Sequence, residues 1–204
     1  MSDYNKIKVG IINLGMNNLY SIYNAFKKIG YKTSLIKKEM KNYDFIVLPG
    51  VGSFKEGMNT LKKNNLIEIL SENIIVKKKN IIGICLGMQM LFTRSNEHGN
   101  TQGLNFISGN VKNFKEKKNF YIPIVGWYKT KSSARELNNK YFYHIHSYYC
   151  EPFNKNLILS KTRYQNFSYC SSVQDKNLLA FQFHPEKSGL NGINLLKKIP
   201  FFYK

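Results

Sequence analysis

The stretch IIGICLGMQML (residues 81–91) decides how this chain is read. Up to Cys85 it is a short apolar run. Beyond Cys85, apolar residues recur at helical spacing as Leu86, Met90 and Leu91. A thiol therefore stands where a strand turns into a helix, between Gly83 and Gly87. G-x-C-x-G at such a junction is the thiol form of a nucleophile elbow: the turn is tight, residues two positions away crowd the nucleophile, and glycines relieve the clash. The side chain is then held at the carboxyl edge of the sheet, where α/β folds bind ligands. The new helix turns its free N–H groups toward the sulfur, a setting that suits a reactive thiol and an anionic intermediate. An isolated cysteine is more often a packing residue; the paired glycines at this junction favour the nucleophile.

Outward from this point, strand-like and helix-like segments alternate. Residues 7–13 (IKVGIIN) form a buried strand candidate, and 17–30 a helix with Leu19, Ile22, Ala25, Phe26 and Ile29 on one face and Gly30 as its stop. A short strand at 33–36 follows, then an apolar strand at 44–52 ending in a glycine turn. A helical region at about 54–78 is broken near Asn64 and Asn65, and the next strand is 80–85. This order predicts an α/β fold with a mostly parallel sheet and helices on both faces. The second half adds strands at 107–114, 141–149, 156–162, 168–174 and 178–184, then a helix at 189–199. With no interdomain linker or repeat in view, residues 1–204 are expected to make one domain.

A thiol nucleophile needs a base, and the base an orienting group. FQFHPEKSG (181–189) supplies both. His184 ends an apolar strand, Pro185 fixes the next φ, and Glu186 follows at i+2, on the same side of an extended segment. His184 lies 99 positions (184 − 85) beyond Cys85, so only the fold can join them. A third element, LPGVGSF (48–54), follows a strand and can turn backbone N–H groups of Gly50, Val51 and Gly52 toward an oxyanion.

Composition bounds the chemistry. The chain has 204 residues, 43% of them hydrophobic, enough for one well-formed core. No run approaches the ~20 apolar residues of a membrane span, and the N-terminal residues lack an apolar signal core, which predicts a cytoplasmic protein. Cys85, Cys150 and Cys170 cannot all pair, so a reducing compartment fits, and Cys150 and Cys170 read as packing residues in strands. No Cys/His cluster suggests a metal, and no cofactor is expected. Lys and Arg number 31 against 12 Asp and Glu, a formal +19. The lysines are scattered, as at 27–28, 37–38, 62–63, 77–79, 115–118 and 197–198, among Asn, Ile and Tyr residues encoded by A/T-rich codons. Codon bias accounts for them better than a nucleic-acid partner does, and no nucleic-acid-binding motif accompanies them.

PGVGSF, GICLGMQMLF, HSYY and QFHPEKSG, in this order, closely resemble the class I glutamine amidotransferases, and more narrowly the glutaminase subunits of imidazole glycerol phosphate synthase. The resemblance runs from Ile7 to about Leu196. It implies a flavodoxin-like domain with a Cys85–His184–Glu186 triad that hydrolyses L-glutamine and passes ammonia to a (β/α)8-barrel cyclase subunit within a heterodimer, for histidine biosynthesis. It further implies that Gln89 and Glu97 hold the substrate, Glu97 by its amino group, that Ser147 and Tyr148 contact its backbone, and that Gly50, Val51 and Gly52 form the oxyanion strand. Two strings depart from the family pattern: residues 13–18 read Asn-Leu-Gly-Met-Asn-Asn where Asp-Tyr-Gly-Met-Gly-Asn is usual, and 123–128 read Pro-Ile-Val-Gly-Trp-Tyr where Pro-His-Met-Gly-Trp-Asn is common. In the family these segments, with Asn18 and Trp127, face the synthase partner. The alternative they leave open is a related subunit that feeds ammonia to a sugar amidotransferase for surface polysaccharides.

Overall fold

In the computed structural model, residues 4–15, 18–114 and 120–203 are described; Met16 and Asn17 of the first departing string and the lysines at 115–118 lie outside them. The short apolar runs become strands β1 (Lys8–Ile12), β2 (Lys32–Ile36), β3 (Phe45–Leu48) and β4 (Asn80–Ile84). Helix α1 (Leu19–Ile29) buries the five residues of its predicted stripe and stops at Gly30, whose φ of 103° takes the left-handed C-cap conformation that glycine adopts freely. The long helical region divides where expected, into α2 (Phe54–Lys63) and α3 (Leu66–Ser71), with Asn65 in the left-handed region between them. Ser53 caps α2 by accepting from the Glu56 N–H.

The helix after Cys85 is only one turn and a half, α4 (Leu86–Met90), because the next residues leave as strand β5 (Phe92–Ser95). Neither β5 nor β6 (Thr101–Gln102) was anticipated: the helical spacing of LGMQML hides the strand that follows. The remaining strands are β7 (Ile107–Asn113), β8 (Ile124–Ser132), β9 (Tyr141–His146), β10 (Tyr148–Pro152), β11 (Ile158–Tyr164), β12 (Phe167–Asp175) and β13 (Leu178–Phe181), before helix α5 (Gly189–Lys198). Strand β8 escaped the sequence reading because Gly126 interrupts it at φ 140° and its outward positions are Val125, Trp127, Lys129 and Lys131. The run at 141–149, read as one strand, is two. Ser147 separates β9, which pairs with β8, from β10, which pairs with β7 and β12.

Strand order is β2-β1-β3-β4-β13, all parallel, continuing through antiparallel β12 and β10 to β7, β5 and β6. The central strands alternate between two cores. Ile46, Leu48, Ile81, Leu178 and Ala180 meet α2 and α3 on one face. Phe45, Val47, Ile82, Ile84, Leu179 and Phe181 meet α1 and α5 on the other. Burial on both faces is why these strands read as unbroken apolar runs. Because β3, β4 and β13 are adjacent and parallel, the segments that leave their carboxyl ends emerge together: Pro49 to Gly52, Cys85, and Gln182 to Glu186. Among the described residues, no helix is long and apolar enough to cross a membrane.

Candidate active site

Cys85 adopts φ 54°, ψ −110°, a conformation that costs an L-residue energy and is held only where the surroundings dictate it. They do so through close approach. A Cβ on Gly87 would lie 1.8 Å from the Leu48 carbonyl oxygen, and one on Gly50 would lie 2.8 Å from Leu86 Cβ. The glycines thus let the end of β3 press against the first turn of α4, which brings the PGVG loop beside Cys85. On the other flank of Cys85, a Cβ on Gly83 would meet the Met88 backbone at 3.0 Å.

A cavity of about 310 Å³ opens here, lined by Val51, Gly52, Cys85, Gln89, Glu97, Ser147, Tyr148 and His184, together with Leu86, Pro123, Ile145, His146 and Lys187. Ten of the twelve residues singled out in the sequence meet at this place or touch a residue that does. Gly50 packs on Leu86, and the Glu186 carboxylate binds the His184 ring. The other two, Asn18 and Trp127, were expected at a partner surface. Trp127 is half exposed, with its ring against Gly189, the first residue of α5. Asn18 has a further role: its amide Nδ2 donates to Glu186 Oε1 at 2.9 Å.

His184 Nδ1 donates to the same Glu186 Oε1 at 2.7 Å, and both side chains are shielded from solvent. Its Nε2 makes no hydrogen bond, which leaves this nitrogen available. Burial by itself would lower the imidazole pKa. The Cys85 thiol beside the ring, followed by Glu186, outweighs it and raises the value to about 10. The ring is therefore imidazolium at neutral pH and loses its charge only as pH rises through about 10. In Cys85→Ala the strongest raising partner is gone, so the titration should move to lower pH; the His184 ring resonances, followed by NMR from pH 5 to 11, would show it. An unmoved midpoint would mean that the sulfur does not act on the ring.

The buried Gln89 side chain bridges two elements: its Nε2 donates to the Tyr148 carbonyl at 3.3 Å and to Gln182 Oε1 at 3.2 Å. Gln182 Nε2 in turn reaches Cys85 Sγ at 4.0 Å. Glu97 accepts from the Phe54 N–H at the start of α2, which anchors the acidic side of the cavity. Gln182 and Lys187 were not singled out in the sequence. For Gln182 the signal was its place two residues before His184 in QFHPE; the extended segment expected there is instead bent at 182–183 and closes into a 3-10 turn at Pro185–Lys187, which still brings Glu186 onto the His184 ring. Cys150 and Cys170 face each other across β10 and β12 as free thiols. Burial pushes both up, Cys170 to about 12, in keeping with packing residues. Among the described residues no group of His, Cys, Asp and Glu could hold a metal ion.

The glutamine amidotransferase class-I family model matches residues 10–199. The chain is 40% identical over 201 residues to imidazole glycerol phosphate synthase subunit HisH 2 of Methanococcus maripaludis, spanning 93% of this chain and 96% of that protein. It is 40% identical to subunit HisH 1 of Campylobacter jejuni (93% and 97%) and 38% identical to subunit HisH of Prochlorococcus marinus (94% and 96%). Solved structures share the fold at lower identity. A glutamine amidotransferase crystal structure aligns with TM-score 0.77 at 14% identity, covering 96% of this chain and 98% of that one. The PurLQS structure from Thermotoga maritima aligns with TM-score 0.75 at 14% identity, covering 97% and 99%. The strand order, the elbow and these relatives agree: the chain belongs to the class-I glutamine amidotransferases, in the group of the HisH subunits of imidazole glycerol phosphate synthase.

Proposed function

We propose that this chain hydrolyses L-glutamine to L-glutamate and ammonia at Cys85 and delivers the ammonia to a (β/α)8-barrel cyclase subunit of imidazole glycerol phosphate synthase. The observation that carries the chemistry is the convergence of Cys85 and His184 on one cavity, with Glu186 behind His184 fixing the ring through Nδ1 and Nε2 left for the reaction. The Cys85 sulfur attacks the side-chain amide carbon, its proton having passed to His184. The imidazolium then gives that proton to the departing nitrogen of the tetrahedral intermediate, the C–N bond breaks, and ammonia leaves behind a γ-glutamyl thioester on Cys85. Water, activated by the now neutral ring, releases glutamate. Gln89, Glu97, Ser147 and Tyr148 hold the amino-acid end of the substrate; Glu97 is the acid that suits an ammonium group. The exposed Trp127 and the α1 end at Asn18 belong to the partner surface. Since Asn18 also binds Glu186, docking there acts directly on the group that orients the base. The names of the relatives favour the histidine pathway over the sugar amidotransferase alternative.

The oxyanion strand is the control point. Val51 and Gly52 line the cavity, and Gly52, at φ 99°, occupies a region other residues avoid. A peptide plane that turns an N–H toward the intermediate adds a donor worth about 10²–10³ in rate. The isolated chain should therefore be nearly inactive, and partner with acceptor ligand should raise kcat far more than they lower KM. Val51→Pro removes the N–H and should keep glutamine binding while losing this response. The test of the whole reading is glutamate release by the purified chain with and without the cyclase subunit. Turnover by the isolated chain equal to that of the liganded complex would overturn the control mechanism, and absence of glutaminase activity in the complex would overturn the function.

A further inference from the structure

From His146 in the wall of the glutamine cavity a buried polar chain runs inward that the chemistry above does not use. His146 Nδ1 is 2.8 Å from the Tyr148 carbonyl oxygen, His146 Nε2 is 3.1 Å from His144 Nδ1, and that same Nδ1 is 3.0 Å from the Tyr169 hydroxyl. His144 is fully buried, Tyr169 is 2% exposed and His146 7%. We propose that His144, His146 and Tyr169 are positioning residues that fix the Tyr148 carbonyl, and with it the Ser147–Tyr148 backbone on which the glutamine subsite is built. The inference rests on the glutaminase reading for what the subsite binds, and on geometry alone for the chain.

The direction of each bond follows from the donor inventory. A carbonyl only accepts, so His146 must carry its proton on Nδ1. Its Nε2 is then a lone pair, and the neighbouring His144 must present Nδ1–H to it, sharing that proton with the Tyr169 oxygen. His144 Nε2 is left bare, and it is indeed a buried nitrogen with no partner. Burial keeps both rings neutral: it pulls His144 well below the ordinary histidine range and takes His146 to about 3. Such a chain cannot pass protons to Cys85, because it ends on a carbonyl; it sets a tautomer. It also has a cost. His144 lies among the rings of Phe183, Tyr128 and Tyr169, where a phenylalanine would leave no nitrogen unsatisfied. What the imidazole adds is the donor that locks His146. The Tyr148 carbonyl is then held from two sides, by His146 and by Gln89 Nε2 from α4. This ties the subsite to the helix that begins at the nucleophile.

The test combines NMR with saturation kinetics of the complex with its cyclase subunit. In the wild-type chain, ¹⁵N shifts should show both rings as neutral Nδ1–H tautomers. His146→Phe should raise KM for glutamine about tenfold, the worth of one buried hydrogen bond, and leave kcat within about threefold. His146→Asn, whose amide can reach the carbonyl from nearly the same position, should restore KM. His144→Phe should raise KM by a smaller factor in the wild type and by nothing further in His146→Asn. Nε2–H tautomers in the wild type, an unchanged KM in a folded His146→Phe protein, or a loss confined to kcat would each overturn the proposal. The NMR reading stands even if the enzyme proves inactive, so failure of the function and failure of the chain are separable.

Discussion

Cys85→Ala is expected to abolish ammonia release from glutamine, with a loss on the order of 10⁴–10⁶ in kcat. The synthase complex should still use free ammonium, since that route bypasses the thiol. The magnitude follows from the unit character of the site: the Nε2 of His184 has no other partner, so without the sulfur there is neither nucleophile nor proton donor pair. His184→Ala should be about as severe. Glu186→Gln should be one to two orders milder. Both groups that bind Glu186 Oε1 are donors, His184 Nδ1–H and Asn18 Nδ2–H. The amide oxygen of glutamine can accept from both in the same place, so geometry survives and only the charge is lost. Steady-state glutaminase assays of the three variants would decide it; a Cys85→Ala protein that hydrolyses glutamine near the wild-type rate would sink the assignment.

Gly87→Ala should be strongly damaging for a change of a single methyl group. The added carbon would stand 1.8 Å from the Leu48 carbonyl oxygen, backbone that cannot swing aside as a side chain would. Either β3 or α4 must move. Overpacking of this kind costs about 3 kcal/mol or more, which in a chain of this size lowers Tm by roughly 6–12 °C. Activity should fall further than stability, because the displaced turn carries Cys85 and faces the PGVG loop. Gly83→Ala is the control: its nearest contacts are at 3.0 Å, so a small shift accommodates it and Tm should fall less. Thermal unfolding of both variants, read beside glutaminase rates, tests the argument. A Gly87→Ala protein that melts within about 2 °C of wild type would show that the close approach does not exist.

The elbow, the pairing of His184 with Glu186 and the apolar stripe of α1 were legible because each is a local matter. The periods of 2 and 3.6 and the steric demand for glycine near a tight turn all act within about ten residues. The same locality explains the misreadings. LGMQML carries a helical period, which masked β5. The run at 141–149 holds no Gly or Pro to mark a break, although at Ser147 the chain crosses from the β8–β9 pair to the main sheet. In β8 the outward residues are exposed lysines and Trp127, so no apolar run marked it.

The sequence by itself determined that a cysteine would stand at a strand-to-helix elbow, which side chains could serve it there, and that parallel strands between helices would carry them, since these follow from residue type and short spacing. The tertiary structure alone decided that they meet. Cys85 and His184 are brought together by the parallel pairing of β4 with β13, and Asn18 reaches Glu186 across 168 positions. Strand order and register are settled by the burial of two opposite sheet faces at once, a property of the whole core that no ten-residue window contains. The burial that neutralises His144 and His146 arises in the same way. In the sequence they are two histidines alternating in a strand; only when β12 lays Tyr169 beside them do they become a chain with a direction.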